Sequence, residues 1–279
     1  MIRSIYLVCL LCVARITLGW AQADPRLNPD IDKPRPIPPA DEVFMENMTW
    51  MEVRDAIRDG KTTAIIATGG LEMNGPYLVT GKHNIVCKVL SERIARSLGN
   101  ALVATVVPYV PEGDFEKVDG HLRYPGTIGV SPATFHALLV DIATSLKLTG
   151  FKNIVLIGDS GGNRDGMEAV VNELSKAWGP GTGIYHIPEF YENKGLKVWL
   201  KNNGVQEVSE GIHDSFRYTA MMMLADPEYV RASARQEAGL FSINGVPLAP
   251  VEETLKIANE LADFQVSNTV KAIKNRLKK

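Results

Sequence analysis

The sequence predicts an α/β fold with a mostly parallel central sheet and helices on both of its faces. Three observations carry this. Short apolar, β-rich runs alternate with longer segments of helical period from Met48 onward. Glycines suited to stopping helices follow the helical segments, at Gly60, Gly99 and Gly150. Three loops that leave the ends of the apolar runs are rich in Gly, Asp, Glu and His, and such sheets bind ligands beyond the carboxyl ends of their strands.

The elements follow in order. Thr49 is placed to cap a short helix that ends near Gly60. TTAIIAT, residues 62–68, reads as a buried strand. Asn84 to Leu98 has helical periodicity and closes at Gly99, and ALVATVVPYV (101–110) is a second strand. Ser131-Pro132 opens a helix that runs to Gly150. NIVLI (153–157) is a third strand, followed by a helix from about Asn163, its expected N-cap, to Trp178. A fourth strand is expected near Gly183 to Pro188. Met221, Met222 and Met223 read as helix core, with only some of them able to share a face.

The N-terminus begins MIRSIYLVCLLCVARITLGWAQADP. Arg3 precedes an apolar run too short to span a bilayer, and Ala21-Gln22-Ala23 supplies a cleavage site, so residues 1–23 read as a signal peptide. The protein is therefore expected to be exported, periplasmic or secreted, and to have no membrane association after cleavage. Residues 24–47 read as a proline-rich arm and 48–279 as the α/β domain. Cys9 and Cys12 leave with the signal. Cys87 then has no intrachain partner, so the core alone must hold the fold. Lys and Arg number 30 against 32 Asp and Glu, with no long basic run, which argues against nucleic acid and for a small-molecule partner.

Gly158 to Gly162 reads GDSGG, the string around a trypsin-like nucleophile. The β/α alternation, Asn163 in place of a following proline and the lack of disulfides exclude that fold. Ser160 nevertheless lies between a strand and a helix, where a nucleophile elbow would put it, with His213 and Asp214 downstream as base and orienter. A metal-free serine hydrolase stays open on these residues.

Four blocks read together point elsewhere. They are GGLEMNGPYLVTGKH (69–83), HLRYPGT (121–127), Gly150-Phe151 followed by NIVLI and GDSGGN, and HDSFRYTAMMML from His213. In this order, over about Thr49 to Val230, the chain resembles the creatininase (creatinine amidohydrolase) family. The resemblance implies a three-layer α/β/α sandwich, a homo-oligomer and metal-assisted hydrolysis of an amide, lactam or related C–N bond. The family's first-loop glutamate is matched by Glu72 and its downstream histidine by His213. Its other histidines fall at Asn74, Tyr77 and Ser160, its bridging aspartate at His83, and its later glutamates at Gly162 and Tyr218.

The expected site is therefore a rebuilt one, with one ion rather than two. Glu72, His83 and Asp159 are the expected ligands of a divalent ion, zinc or manganese. His213 is the expected general acid/base, and Ser160 the contact to substrate or metal-bound water. Asn74, Tyr77, Glu112, Asp114, His121, Gly161, Gly162 and Asn163 are expected to bind substrate or support the ligands. A non-catalytic small-molecule-binding protein is the remaining alternative. Glu72→Ala is expected to remove the metal and leave the fold intact.

Overall fold

The computed structural model describes residues 29–209, 211 and 213–278. The expected signal peptide, with Cys9 and Cys12, lies outside the described residues. Residues 29–38 are a short segment of their own, with a turn in which Lys33 N–H donates to the Asp30 carbonyl at 3.2 Å.

In the rest of the chain, helix α1 (Trp50–Arg58) opens on a reciprocal cap. Glu52 N–H donates to Thr49 Oγ1, and Thr49 N–H donates to Glu52 Oε2 at 2.7 Å. The sheet follows: β1 (Thr63–Thr68), then helix α2 (Lys82–Leu98), β2 (Ala101–Val107), helix α3 (Pro132–Leu148), β3 (Asn153–Gly158), helix α4 (Arg164–Ala177) and β4 (Gly183–His186). The strand order is β2-β1-β3-β4 and every pairing is parallel, with Thr63 in register with Ala101 on one side and Asn153 on the other. β2 stops at Val107 rather than Val110, because Pro108 has no N–H for the ladder. Two short helices, α5 (Glu189–Glu192) and α6 (Leu196–Asn202), precede α7 (Phe216–Ala225) and α8 (Ala232–Glu237). A two-residue-stranded hairpin, β5 (Ser242–Ile243) and β6 (Val246–Pro247), leads into the long α9 (Val251–Leu277).

Strand periodicity divides the interior in two. Ile65, Ala67, Val103, Val155 and Ile157 face α2, α7 and α9; Ala64, Ile66, Leu102, Ile154 and Leu156 face α3 and α4. Both faces of β1 are wholly buried, which is why its sequence is continuously apolar rather than alternating. All three residues of the methionine triplet are buried, as expected of helix core, and they do not share one face. Met221 enters the α2/α9 core, while Met222 and Met223 enter a separate cluster with Leu78 and Val230, so α7 is covered on more than one side. Val43 and Phe44, expected in the proline-rich arm, are also buried, with Phe44 bridging in parallel to Val103 at the edge of the sheet.

Among the described residues, no helix is long and apolar enough to cross a membrane.

Candidate metal centre

The loops beyond β1, β2 and β3 converge at the carboxyl edge of the sheet. The β1 loop is anchored by Asn163, whose Nδ2 donates to the Thr68 Oγ1 at 3.0 Å and to the Gly69 carbonyl at 2.9 Å. Asn163 precedes α4 as expected, but its side chain staples two strand ends instead of capping the helix. Leu71 pairs with Ile128 across to the β2 loop, which brings Glu72 beside Glu112 and His121. Gly70, at φ +151°, leaves room for Glu112: an added Cβ would stand 2.6 Å from Glu112 Oε1.

Glu72 is the hub of the site and is wholly buried. Its Oε1 accepts from His83 Nε2 at 2.7 Å and from His213 Nδ1, with the Lys82 ammonium at 3.5 Å. Its Oε2 lies 2.5 Å from His121 Nδ1, whose hydrogen bond goes to Glu112 Oε2 at 3.1 Å. His213 reaches this position from a left-handed backbone, φ +61°, uncommon for a residue with a side chain. The His121 and His213 rings meet edge to face with centroids 4.4 Å apart.

The electrostatics follow from this geometry. Burial pushes the Glu72 carboxyl up, but hydrogen bonds from His213 and His83 and the charges of His83 and Lys82 outweigh it, so Glu72 is held well below the usual carboxylate range. Glu112 goes the other way, pushed up to about 9 by burial and by the negative charge of Glu72. Burial drives His83 down, yet its bonds to Asp159 and Glu72 win and raise it. Burial lowers Lys82, an effect offset in part by Glu72 and Asp159.

These residues fit a divalent cation. Two groups of donors within 4.8 Å of one another share Glu72: one adds His83 and His213, the other Glu112 and His121. Glu72 Oε2 and Glu112 Oε1 are buried without a hydrogen-bond donor. Two facing carboxylates in that state require either a shared proton or a cation. His83 also has the backing expected of a metal-facing imidazole: its Nδ1 contacts Asp159 Oδ2 at 2.7 Å, which fixes the ring with Nε2 pointing at the centre.

Of the expected ligands, Glu72 and His83 come together. Asp159 stands behind His83, with its second oxygen accepting from Arg217 Nη2 at 3.3 Å, and belongs to neither donor group. Glu112 and His121, expected as support, face Glu72 directly. Asn74 shapes the loop by donating to the carbonyls of Glu72 and Val79. Tyr77 is turned away, stacked 4.0 Å below the Arg235 guanidinium, and Asp114 accepts from the backbone of its own loop at Glu116.

Ser160, Gly161 and Gly162 line a cavity of about 530 Å³ whose floor carries Lys82, His83, His121 and His213. Ser160 has ordinary extended backbone, φ −110° and ψ 140°, not the strained turn of a nucleophile elbow. Among the described residues no hydrogen bond joins Ser160 to His213, whose Nδ1 is committed to Glu72. The Asp214 carboxylate sits in a cradle of Gly75 and Gly211, where an added Cβ would meet it at 1.9 and 1.7 Å.

No motif in the sequence pattern marks Lys82 or Arg217 as part of the site. With α2 expected from Asn84, Lys82 belongs to the preceding loop. The helix starts at Lys82 itself, which turns that side chain inward. The available signal was a lysine directly before His83 in a loop already carrying Glu72.

A family model described as creatininase, creatinine amidohydrolase, matches residues 46–254. A creatinine amidohydrolase of Pseudomonas putida is 25% identical over 139 residues, which is 48% of this chain and 53% of that relative, so the match spans about half its length. Among solved structures, a glutamate-to-glutamine mutant of creatininase described as Zn-Zn type superposes with a TM-score of 0.60 at 19% identity, covering 85% of this chain and 99% of that one. A creatininase described as the Mn form gives 0.58 at 19% identity, over 85% and 98%. These superpositions establish a shared fold.

Proposed function

The chain belongs to the creatininase family, and from that premise we propose that it is an exported, metal-dependent hydrolase of an amide, lactam or related C–N bond in a small molecule. The observation that carries the reading is Glu72: a buried carboxylate, behind the His83, His121 and His213 that line a cavity of about 530 Å³, with both oxygens facing donor groups suited to zinc or manganese. A divalent ion held there supplies Lewis-acid polarisation of a carbonyl and a water acidified toward neutrality.

The chain's own residues supply the rest. Glu72 holds the ion, with His121 and Glu112 or His83 and His213 completing its shell. Asp159 fixes the His83 ring, and Arg217 in turn holds Asp159. With the ion held by Glu72, Glu112 and His121, His213 borders the cavity and is left to serve as general acid/base to the leaving nitrogen. Ser160 and the Gly161–Gly162 turn contact the substrate beside the ion. Export rests on the Arg3 n-region, the short apolar run and the Ala21-Gln22-Ala23 site.

The test is metal content and turnover on a panel of amides and lactams, using protein purified without chelators and compared with Glu72→Gln. Bound zinc or manganese, with hydrolysis lost in the variant, is the expected outcome. No metal after reconstitution, or full turnover in Glu72→Gln, would overturn the reading.

A further inference from the structure

We infer that the cavity beside the centre carries a carboxylate subsite, built from Arg217, Tyr191, Ser160 and the Gly161–Gly162 turn, so that the substrate is a small amide or lactam bearing a carboxylate group. The inference rests on the amide-hydrolase reading and names the substrate class within it.

Arg217 is the anchor. It lies in the first turn of α7 and borders the cavity, with its side chain only 10% exposed. Both of its hydrogen bonds use Nη2, which donates to Asp159 Oδ1 at 3.3 Å and to Gln265 Oε1 at 3.4 Å. Among the described residues Nη1 and Nε have no acceptor. A guanidinium stays charged and has no lone pair to offer, so what it lacks here is an acceptor. A planar carboxylate matches its fork.

Other groups on the same wall also donate. Ser160 is 7% exposed, and its Oγ makes no hydrogen bond among the described residues. The same holds for the Tyr191 hydroxyl, which stands over Gly161: an added Cβ there would lie 3.1 Å from it. Gly161 and Gly162 open the 3-10 turn that runs into α4, so their N–H groups precede those a helix pairs internally. A guanidinium, two hydroxyls and the amides of a helix start make a donor-rich wall, the complement of an anion.

The surrounding charge selects a monoanion. Arg217 already shares its charge with Asp159, and Glu192 and Glu207 border the same cavity, so a dianionic phosphate would be repelled. A cationic group fares no better, because those carboxylates are engaged. Glu192 pairs with Arg164 at 3.3 Å, and Glu207 Oε1 accepts from the Phe216 N–H at 2.6 Å and from Asn244 Nδ2 at 3.3 Å. Asp159 sets the scale. Its Oδ2 contacts His83 at 2.7 Å and its Oδ1 contacts Arg217, so one carboxylate separates the ion-facing imidazole from the guanidinium. A molecule with its carbonyl at the ion and its carboxylate on Arg217 is therefore small.

Matched pairs that differ only in a carboxylate test this: pyroglutamate against pyrrolidinone, and N-acetylglycine against N-methylacetamide. The zinc-loaded full chain is titrated with each by calorimetry, and hydrolysis is followed as kcat/KM. In the wild type the acid member of each pair should bind about 100-fold tighter than its neutral partner. Arg217→Met should remove most of that preference, Arg217→Lys should restore part of it, and Tyr191→Phe should lower it about tenfold. A preference that survives in folded Arg217→Met and in Tyr191→Phe belongs to the ion and overturns the subsite. Equal binding within each pair, or no binding by either member, also overturns it, and hydrolysis of the neutral members would then leave the amide-hydrolase reading standing. Preferred binding without hydrolysis supports the subsite and counts against the hydrolase reading. If Arg217→Met does not fold, Tyr191→Phe and Ser160→Ala decide, each expected to lower the preference about tenfold.

Discussion

Ile65, in the middle of β1, and Glu72, in the loop that leaves the same strand, are both wholly buried. Ile65 is surrounded by apolar side chains from α2 and α9, and its burial contributes about 1.5–3 kcal/mol. Glu72 is surrounded by Lys82, His83, His121, His213 and Glu112. Burying charges costs free energy that pairing recovers only in part. The same sheet thus carries a stabilising interior along its strands and a costly one at their carboxyl edge. The second interior is what a site needs: charges already desolvated and fixed before a ligand arrives. The contrast also revises one expectation. Because Glu72 compensates buried Lys82 and His83, Glu72→Ala does not leave the fold untouched, so the milder Glu72→Gln suits tests of metal binding.

The largest expected effect separates the two interiors. Glu72→Ala should lower stability by about 3–5 kcal/mol, because it strands buried cations, and should abolish metal binding. Ile65→Ala should lower stability by a comparable 2–5 kcal/mol through a cavity, yet leave metal binding per folded molecule unchanged. Urea unfolding with and without zinc reads both. Equal loss of zinc binding in folded Ile65→Ala would break the distinction.

The next effect is a pH dependence. Glu112 is pushed up to about 9 in the folded, metal-free protein, from an ordinary value of 4.5. Between these values the folded state holds a proton that the unfolded chain has released. The stability linked to Glu112 is therefore complete below about pH 4.5 and is lost as pH rises toward 9. Unfolding midpoints in EDTA should fall across that range, less so in Glu112→Gln and less so with zinc bound. A flat profile in the chelated wild type would show that Glu112 ionises freely.

The smallest effect concerns the support behind the ligands. Asp159→Asn should weaken zinc affinity by about 10- to 100-fold through loss of the fixed, charge-backed His83 ring, without changing the number of ions bound. Unchanged affinity would detach His83 and Asp159 from the centre.

The sequence by itself determined the parallel α/β order, because strand and helix periods and their stop signals are local properties of the chain. TTAIIAT, NIVLI and the Thr49 and Ser131 caps needed nothing beyond their neighbours. It also pointed to Glu72, His83, His121 and His213 gathering at one edge of the sheet, three of them on loops and His83 in the first turn of α2. Only the tertiary structure decided what each of them faces. Asp159 stands next to Ser160 in the chain but turns to back His83, while Glu112 crosses from another strand's loop to meet Glu72. Tyr77 and Asp114 share those loops and point elsewhere. Lys82 is buried because α2 starts at Lys82, two residues before the Asn84 that periodicity marks. The physical reason is the range of the forces. Periodicity and capping act over a few residues, whereas the pairing of buried charges depends on distances between loops that no local pattern encodes.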